Sequence, residues 1–140
     1  MKRMFLILLI SSVTYNIYSQ VPASQGKSEI KWHTIQEAEK LFNKSPRPIF
    51  IDTYTDWCGW CKKMDSETFT DPVIADILNT KFYPVKFDAE GKESVTFMGQ
   101  TFINDGTAGN AHQLAVALLN GRLSYLTVDF LTKQDDKFQV

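Results

Sequence analysis

The segment that decides the fold is residues 51–64, which reads IDTYTDWCGWCKKM. It carries Cys58 and Cys61, separated by two residues, shortly after a run rich in β-branched and aromatic side chains. This spacing lets two sulfurs form and release a disulfide with little backbone movement. The pattern predicts a redox-active pair between a doubly buried strand, Pro48–Tyr54, and a helix over residues 59–68.

The position of the pair at the start of a helix predicts different roles for the two sulfurs. Cys58 faces the unpaired N–H groups and the positive end of the helix dipole, which favour thiolate over thiol, so we expect it to be the nucleophile. Cys61 lies one turn further in and is more covered, so we expect it to resolve a mixed disulfide by attacking Cys58. The competing interpretation is a static disulfide, or a thiol pair without turnover.

Elements on either side of the pair follow an alternating order. Thr34 and Glu37 form a capping box, which predicts a helix over Thr34–Asn43. A brief strand is predicted at Glu29–Trp32, before this helix, and a strand at Phe82–Asp88. Between the cysteines and the second of these strands we expect a short helix, capped by Thr70 or Asp71, with four apolar residues on its inner side: Val73, Ile74, Ile77 and Leu78. The later part of the chain is predicted to hold a hairpin at Val95–Ile103 within the long connection 89–109, a helix at Asn110–Asn120 ended by Gly121, a strand at Leu123–Leu131, a turn at Lys133–Asp136 and a strand from Lys137. This order is βαβαβ, then a helix, then two tightly joined strands.

Composition limits the classes of function. The chain has 140 residues with 15 basic and 16 acidic side chains, a formal charge of −1 and a pI near 6.1, which describes one ordinary globular domain without the basic surface that nucleic acids need. We therefore expect no nucleic-acid partner. With two cysteines and two histidines, the chain has too few ligands for a disulfide scaffold or an obvious closed zinc site.

The first nineteen residues have the layout of a secretory signal. Lys2 and Arg3 precede the apolar run Met4–Ile10, and a polar stretch with small residues follows. This run is too short to span a bilayer, which takes roughly 20 residues, so we expect no stable membrane anchor. The predicted organisation is a signal peptide over 1–19, a flexible leader over 20–28 and one domain over 29–140, in a periplasmic or secreted protein.

The segment 51–64 resembles the thioredoxin family, especially its exported bacterial members with Gly-Trp between the cysteines. The resemblance extends from about Ile30 to the C-terminus, since the predicted element order is that of the family. It implies an α/β, thioredoxin-like fold, with a central mixed sheet flanked by helices. It also implies a thiol-disulfide oxidoreductase that needs no dissociable cofactor beyond the redox-active disulfide of Cys58 and Cys61.

Asp52 matches the buried acid that in this family is thought to take and return the proton of the resolving cysteine, here Cys61. A carboxylate inside a doubly covered strand loses its hydration, so its pKa should rise toward the working pH and make it a usable base. The competing interpretation is a solvated acid at an opening of the sheet.

Residues around the cysteines are candidate substrate contacts. Gly59 and Trp60 lie between the two sulfurs, and Trp57 precedes them. Trp60 is expected either at the surface, where it touches substrate, or in the core. The corresponding alternatives for Trp57 are substrate contact and packing under the turn.

One departure from the family pattern concerns substrate docking. Thioredoxin-like proteins place a cis-proline opposite the cysteines, before the fourth strand, whereas this chain has Leu126. A cis bond before a non-proline residue costs about 2.5 to 4 kcal/mol, so the Tyr125–Leu126 bond is expected to be trans. Tyr125, Leu126 and Thr127 are retained as candidate substrate contacts.

A second departure is the absence of a helix pattern after the last predicted strand, where the family has its final helix. Part of the sheet is therefore expected to be bare. Asp129 lies in the middle of a predicted strand and is expected to face the uncovered side, since a sandwiched carboxylate would be costly.

Three functions fit these patterns. The leading one is an exported thiol-disulfide oxidoreductase, favoured as a disulfide reductase, that acts as a monomer on a protein or small-molecule disulfide and exchanges electrons with a redox partner. The second is a catalytically weak binding module that uses Phe97 and Phe102 of the inserted hairpin as a contact surface. The third is a metal-handling protein that uses both thiolates. His33 and His112 are expected to have packing or surface roles.

Overall fold

A computed structural model describes residues 29–125, 127–134 and 137–139. The predicted signal peptide and leader, Leu126 and part of the predicted turn at 133–136 lie outside the described residues. The described residues form ten elements, in this order: α1 Ile35–Lys44, β1 Ile49–Tyr54, α2 Gly59–Glu67, α3 Pro72–Lys81, β2 Tyr83–Asp88, β3 Val95–Phe97, β4 Gln100–Phe102, α4 Gln113–Leu118, β5 Thr127–Gln134 and β6 Lys137–Gln139. None of the helices in this part of the chain is long and apolar enough to cross a membrane.

The central sheet has the strand order β2-β1-β5-β6. β1 pairs in parallel with β2 and antiparallel with β5, and β5 pairs antiparallel with β6, so the sheet is mixed. Helices flank this sheet, and β3 and β4 form a separate two-stranded hairpin. The predicted α/β class with a central mixed sheet is confirmed.

Side chains of β1 alternate between two hydrophobic clusters. Ile49 and Ile51 pack into a cluster with residues of α1 and α4, whereas Phe50 packs on the opposite face against Phe69 and Leu78. A strand that is covered on both faces shows no polar alternation. This confirms the interpretation of the continuous apolar run in the sequence.

Both predicted helix caps around this strand are present. The hydroxyl of Thr34 accepts the N–H of Glu37, and the Glu37 carboxylate accepts the N–H of Thr34, which completes the capping box of α1. Asp71 caps α3 by accepting two backbone N–H groups, and Pro72 occupies the first turn. These local hydrogen bonds position α1 and α3 against the sheet.

Three predicted elements and one helix face differ from the structure. No strand forms at the predicted Glu29–Trp32, and the next residue, His33, makes a single parallel bridge with Val85. The strand predicted at Leu123–Leu131 begins only at Thr127 and extends to Gln134, so Lys133 and Gln134 belong to the strand rather than to the predicted turn. On α3, Val73 and Ile77 are 62% and 43% exposed. This helix has apolar residues on more than one side, and the sheet covers only one side.

The helix α4 is also shorter than the predicted Asn110–Asn120, because His112 caps it and the residues before it form turns. It is followed by Gly121 in the left-handed conformation, with φ at +75°, as the sequence predicts.

The predicted hairpin is present but has a different role. Met98 and Gly99 form its turn with positive φ angles, and Phe97 is only 5% exposed within the core cluster of α1 and α4. Phe102 packs against the same cluster, and the Met98 N–H donates to Glu39 of α1. The interpretation of Phe97 and Phe102 as a protein-contact surface is therefore wrong, because the hairpin covers α1 with these two rings.

Asp129 does not face an uncovered side, so that prediction is wrong. It is 7% exposed, lies opposite Ile51 in the sheet and shares a face with Leu131 of the core. Its Oδ2 has no hydrogen-bond partner among the described residues. Phe130, on the other face of the sheet, is 48% exposed.

Burial raises the pKa of Asp129. An acid with a raised pKa in the folded state destabilises the fold once the pH exceeds its unfolded pKa, because only the unfolded chain ionises freely. We expect Asp129→Asn to raise the free energy of unfolding by about 1 to 3 kcal/mol at pH 8, and by less as the pH falls toward 4. Urea denaturation at both pH values measures this, and an equal effect at both would contradict the electrostatic explanation.

Candidate active site

The turn between β1 and α2 holds the two cysteines in a disulfide. Cys58 is the N-cap residue of α2, and its backbone N–H donates to the carbonyl of Thr55. Cys61 lies in the first turn of the helix, at a Cα–Cα distance of 5.3 Å from Cys58. The strand, the tight turn and the helix start therefore bring the sulfurs together, as the spacing predicts.

The environments of the two sulfurs are unequal. Cys58 is partly exposed, whereas Cys61 is 2% exposed. The backbone N–H of Cys61 lies 3.2 Å from the Sγ of Cys58 and donates to it. A hydrogen bond of this kind at a helix start stabilises a thiolate on Cys58 in the reduced protein.

The backbone of Tyr125 faces both sulfurs. Its carbonyl oxygen lies 2.8 Å from the Sγ of Cys61 and 3.9 Å from the Sγ of Cys58. Neither sulfur carries a hydrogen in the disulfide, but a reduced Cys61 thiol at this place can donate to the carbonyl. The loop before β5 thus lies opposite the cysteines, where the sequence places it.

Two exposed aromatic side chains flank Cys58 along the chain. Trp57 and Trp60 are 64% and 68% exposed, so neither fills the core. Trp57 makes an edge contact with Tyr125, with ring centroids 5.4 Å apart, and its Nε1–H donates to Glu90 at 3.0 Å. Glu90 was not predicted as part of this site, because in the sequence it is one acid among several in a loop.

Gly59 and Thr127, two further predicted substrate contacts, lie on different elements. Gly59 is the exposed first residue of α2, and an added Cβ there would meet no atom within 4 Å. Thr127 begins β5, half-buried, and its hydroxyl donates to the carbonyl of Ser124. Gly59 thus lies in the helix that carries Cys61, and Thr127 follows two residues after Tyr125.

Asp52 is fully buried in β1, so the interpretation as a solvated acid is wrong. Its register partner in β2 is Lys86, whose Nζ lies 2.9 Å from Asp52 Oδ2. Burial raises the pKa of Asp52, and the hydrogen bond and charge of Lys86 oppose that rise. The predicted direction of the pKa shift is therefore confirmed.

Lys86 also contacts Asp65 of α2. Burial opposes the charge of Lys86, but the two carboxylates outweigh it and raise the pKa of Lys86. Neither residue was predicted for the site. Alternation along β2 places Lys86 on the face of Asp52, but only the strand register shows that the two are paired.

Both histidines have the predicted packing roles. His112 is 1% exposed, its Nδ1 accepts the N–H of Leu114 and its Nε2 lies 3.0 Å from the carbonyl oxygen of Glu93. The half-buried His33 makes an edge contact with the ring of Tyr83. In the described ranges, no group of three or more His, Cys, Asp or Glu side chains is placed to hold a metal ion.

The mixed sheet and the Cys-Gly-Trp-Cys turn define a protein of the thioredoxin-like class. The chain belongs to the family Thioredox_DsbH, described as "Protein of unknown function, DUF255", whose profile matches residues 18–139. Similar solved structures are a thioredoxin from Thermus thermophilus and a protein titled "DsbH Oxidoreductase". Their TM-scores are 0.57 and 0.52, each at 18% identity, over 79% and 84% of this chain and 71% and 74% of theirs. These two likenesses concern the fold.

Curated relatives match over shorter stretches. "Spermatogenesis-associated protein 20" of Mus musculus is 28% identical over 100 residues, which is 71% of this chain and 13% of the relative. "Thiol:disulfide interchange protein DsbD" of Pectobacterium atrosepticum is 38% identical over 45 residues, or 32% of this chain and 8% of the relative. The chain thus spans about a tenth of the length of these relatives. Together with the Cys58–Cys61 disulfide, the comparisons establish a thioredoxin-like oxidoreductase family.

The unequal exposure of the two sulfurs leads to a chemical test. In the reduced protein at pH 6.5, we expect iodoacetamide to modify Cys58 at least about tenfold faster than Cys61, since only Cys58 is accessible and favoured as a thiolate. Peptide mass spectrometry after timed quenching measures both rates. A Cys58→Ser variant reports Cys61 alone, and rapid modification of Cys61 in that variant would contradict the assignment.

Proposed function

We propose that this protein is an exported thiol-disulfide oxidoreductase that works as a disulfide reductase. The observation that carries the proposal is the asymmetry of the disulfide. Cys58 is accessible and receives the N–H of Cys61, whereas Cys61 is buried beside the carbonyl of Tyr125. A substrate can therefore reach the sulfur of Cys58, while the sulfur of Cys61 lies covered beside it and can resolve the mixed disulfide.

The reaction begins from the reduced pair. The Cys58 thiolate attacks one sulfur of a substrate disulfide, forms a mixed disulfide and releases the other substrate sulfur as a thiolate. Cys61, as a thiolate, then attacks the sulfur of Cys58 and releases the second substrate thiolate. Two electrons pass to the substrate, and the chain ends with the Cys58–Cys61 disulfide present in the structure.

The resolving step needs a base for the proton of Cys61. Resemblance to thioredoxins assigns this role to Asp52, and its burial and raised pKa support the assignment. A neutral Asp52 can later return the proton when a redox partner reduces the disulfide again. Such a partner has to supply two electrons, and in an oxidising compartment these come from a membrane donor.

We place the substrate on the surface around Cys58. The exposed rings of Trp57 and Trp60 offer apolar contact, and the backbone at Tyr125 faces the sulfurs. Thr127 and Leu126 are further substrate contacts in the proposal, and Gly59 adds no side chain next to Cys58. A protein or small-molecule disulfide fits this description.

Turnover is the direct test. With excess dithiothreitol as the electron donor and insulin as the disulfide substrate, we expect the wild-type chain to accelerate reduction and Cys58→Ala to fall to the uncatalysed rate. Leu126→Pro is expected to increase turnover, because proline restores the residue that thioredoxins use for docking. The turbidity of reduced insulin measures all three rates.

A folded wild-type chain without turnover, combined with an active Leu126→Pro variant, would favour the binding-module function instead. Circular dichroism of each variant is the control for folding. The equilibrium of the pair with glutathione gives the direction, since a reductase should have a potential near that of thioredoxin, about −270 mV, and an oxidase one near −120 mV.

Export is the second part of the proposal and rests on the pattern of residues 1–19. When the full chain is expressed in a bacterium, we expect a periplasmic product that has lost about 19 residues from its N-terminus. Intact-mass measurement of the periplasmic fraction gives the cleavage site. Retention of the uncleaved chain in the cytoplasm, with Lys2 and Arg3 still present, would contradict export.

A further inference from the structure

A second carboxylate shares the lysine that pairs with Asp52. Lys86 Nζ lies 2.9 Å from Asp52 Oδ2 and also contacts Asp65 Oδ1. The exposed fraction of the side chains rises along this series, from 0% for Asp52 through 21% for Lys86 to 41% for Asp65. The three groups thus form a charged path from the sheet interior to the surface.

Aromatic rings hold the ammonium group of Lys86 in place. Its Nζ lies between 5.1 and 5.3 Å from the ring centroids of Trp32, Tyr54 and Phe69. Cation–π contacts of this kind are favourable for a partly desolvated ammonium. Lys86 is therefore held beside Asp52 by contacts that do not depend on Asp65.

Solvent reaches this cluster from the outer side. A cavity of about 460 Å³ is lined by Asp65 and Lys86, together with Trp32 and Phe69. Asp52 does not line it. On this side, therefore, Lys86 and Asp65 border the solvent, whereas Asp52 is fully buried.

We propose that Asp65 is a positioning residue for the reaction. Because Asp65 shares Lys86 with Asp52, it weakens the stabilisation that the positive charge of Lys86 gives to the Asp52 carboxylate, and it thereby sets the pH at which Asp52 holds a proton. This inference rests on the proposed function, in which Asp52 exchanges a proton with Cys61. The charged groups acting on Asp52 in the described part of the chain are Lys86 of β2 and Asp65 of α2, with the Tyr54 hydroxyl of β1 near Lys86.

The direction of the effect follows from the charges. Asp65→Asn removes a negative charge near Asp52. Of the two carboxylates that contact Lys86, only that of Asp52 then remains. Both changes favour the ionised form of Asp52, in agreement with the raising influence of Asp65 and the lowering influence of Lys86 on its pKa. Asp52 should then lose its proton at a lower pH.

The test follows the ¹³C signal of the Asp52 carboxyl carbon by NMR as the pH changes in the oxidised protein. In Asp65→Asn we expect the midpoint to move down by about 0.5 pH unit or more. The acid limb of the insulin-reduction profile should move by the same amount, which is about a threefold gain in turnover at a pH on that limb.

Glu67→Gln is the matched control. Glu67 lies on the same helix, loses the same charge and is exposed, with Lys63 rather than Lys86 as its ion-pair partner. Its titration and pH profile should match those of the wild type. In a Lys86→Gln background, Asp65→Asn should move the Asp52 midpoint much less, because the proposed effect acts through Lys86.

Several outcomes would overturn the inference. The first is an Asp52 titration midpoint that is unchanged or higher in Asp65→Asn, and the second is an equal shift of that midpoint in Glu67→Gln. The third is a full shift of the midpoint in the Lys86→Gln background. The fourth is a shifted midpoint in an active protein whose pH profile of insulin reduction does not move. Because the titration needs no turnover, its result is separate from the proposed function. An inactive wild type would refute the reductase, whereas the coupling of Asp65 to Asp52 would still be decided by the midpoint.

Discussion

The structure depends on one constraint: β1 is hydrogen-bonded on both edges and covered on both faces. β2 and β5 satisfy its backbone groups, while α1 and α4 cover one face and Phe69 and Leu78 cover the other. The side chains from Ile49 to Thr53 are buried, so a charged group among them needs a partner. The active-site turn is the direct continuation of this rigid strand, which explains why the sulfurs lie at a defined depth.

Burying the carboxylate of Asp52 in β1 costs free energy, because the group loses its hydration. A buried ion pair repays the loss of hydration only in part, so its stabilising effect on the fold is small or negative. In the proposed function, the pair with Lys86 controls the charge of the group that exchanges a proton with Cys61. Lys86 reaches Asp52 because the two are register partners in adjacent parallel strands, and a shift of one residue would place Lys86 on the other face.

Local patterns in the sequence predicted most of the fold. The capping box at Thr34, the Asp71 cap and the left-handed Gly121 depend on neighbouring residues only, and each is present. Predictions that depend on distant elements were weaker. Asp129 and Phe97 were both expected at a surface, but β1 and α1 are packed against them.

In the candidate site, too, features that depend on neighbouring residues were predicted, and contacts between distant residues were not. Cys58 and Cys61 and the direction of the Asp52 pKa shift were predicted from one continuous segment, because strand, turn and helix start are adjacent in the chain. The contacts of Glu90 with Trp57 and of Asp65 with Lys86 join residues 33 and 21 positions apart. Charged side chains at such positions are usually solvated, so nothing in the sequence distinguishes these two from other acids.

By itself, therefore, the sequence determined the class of fold, the disulfide-forming pair of cysteines and the buried position of Asp52, since each follows from short-range pattern. The tertiary structure alone decided which carboxylates share Lys86, which carbonyl faces the sulfurs and which aromatic rings remain exposed. Those features depend on strand register and on loops that approach one another through space, and neither is encoded by local periodicity.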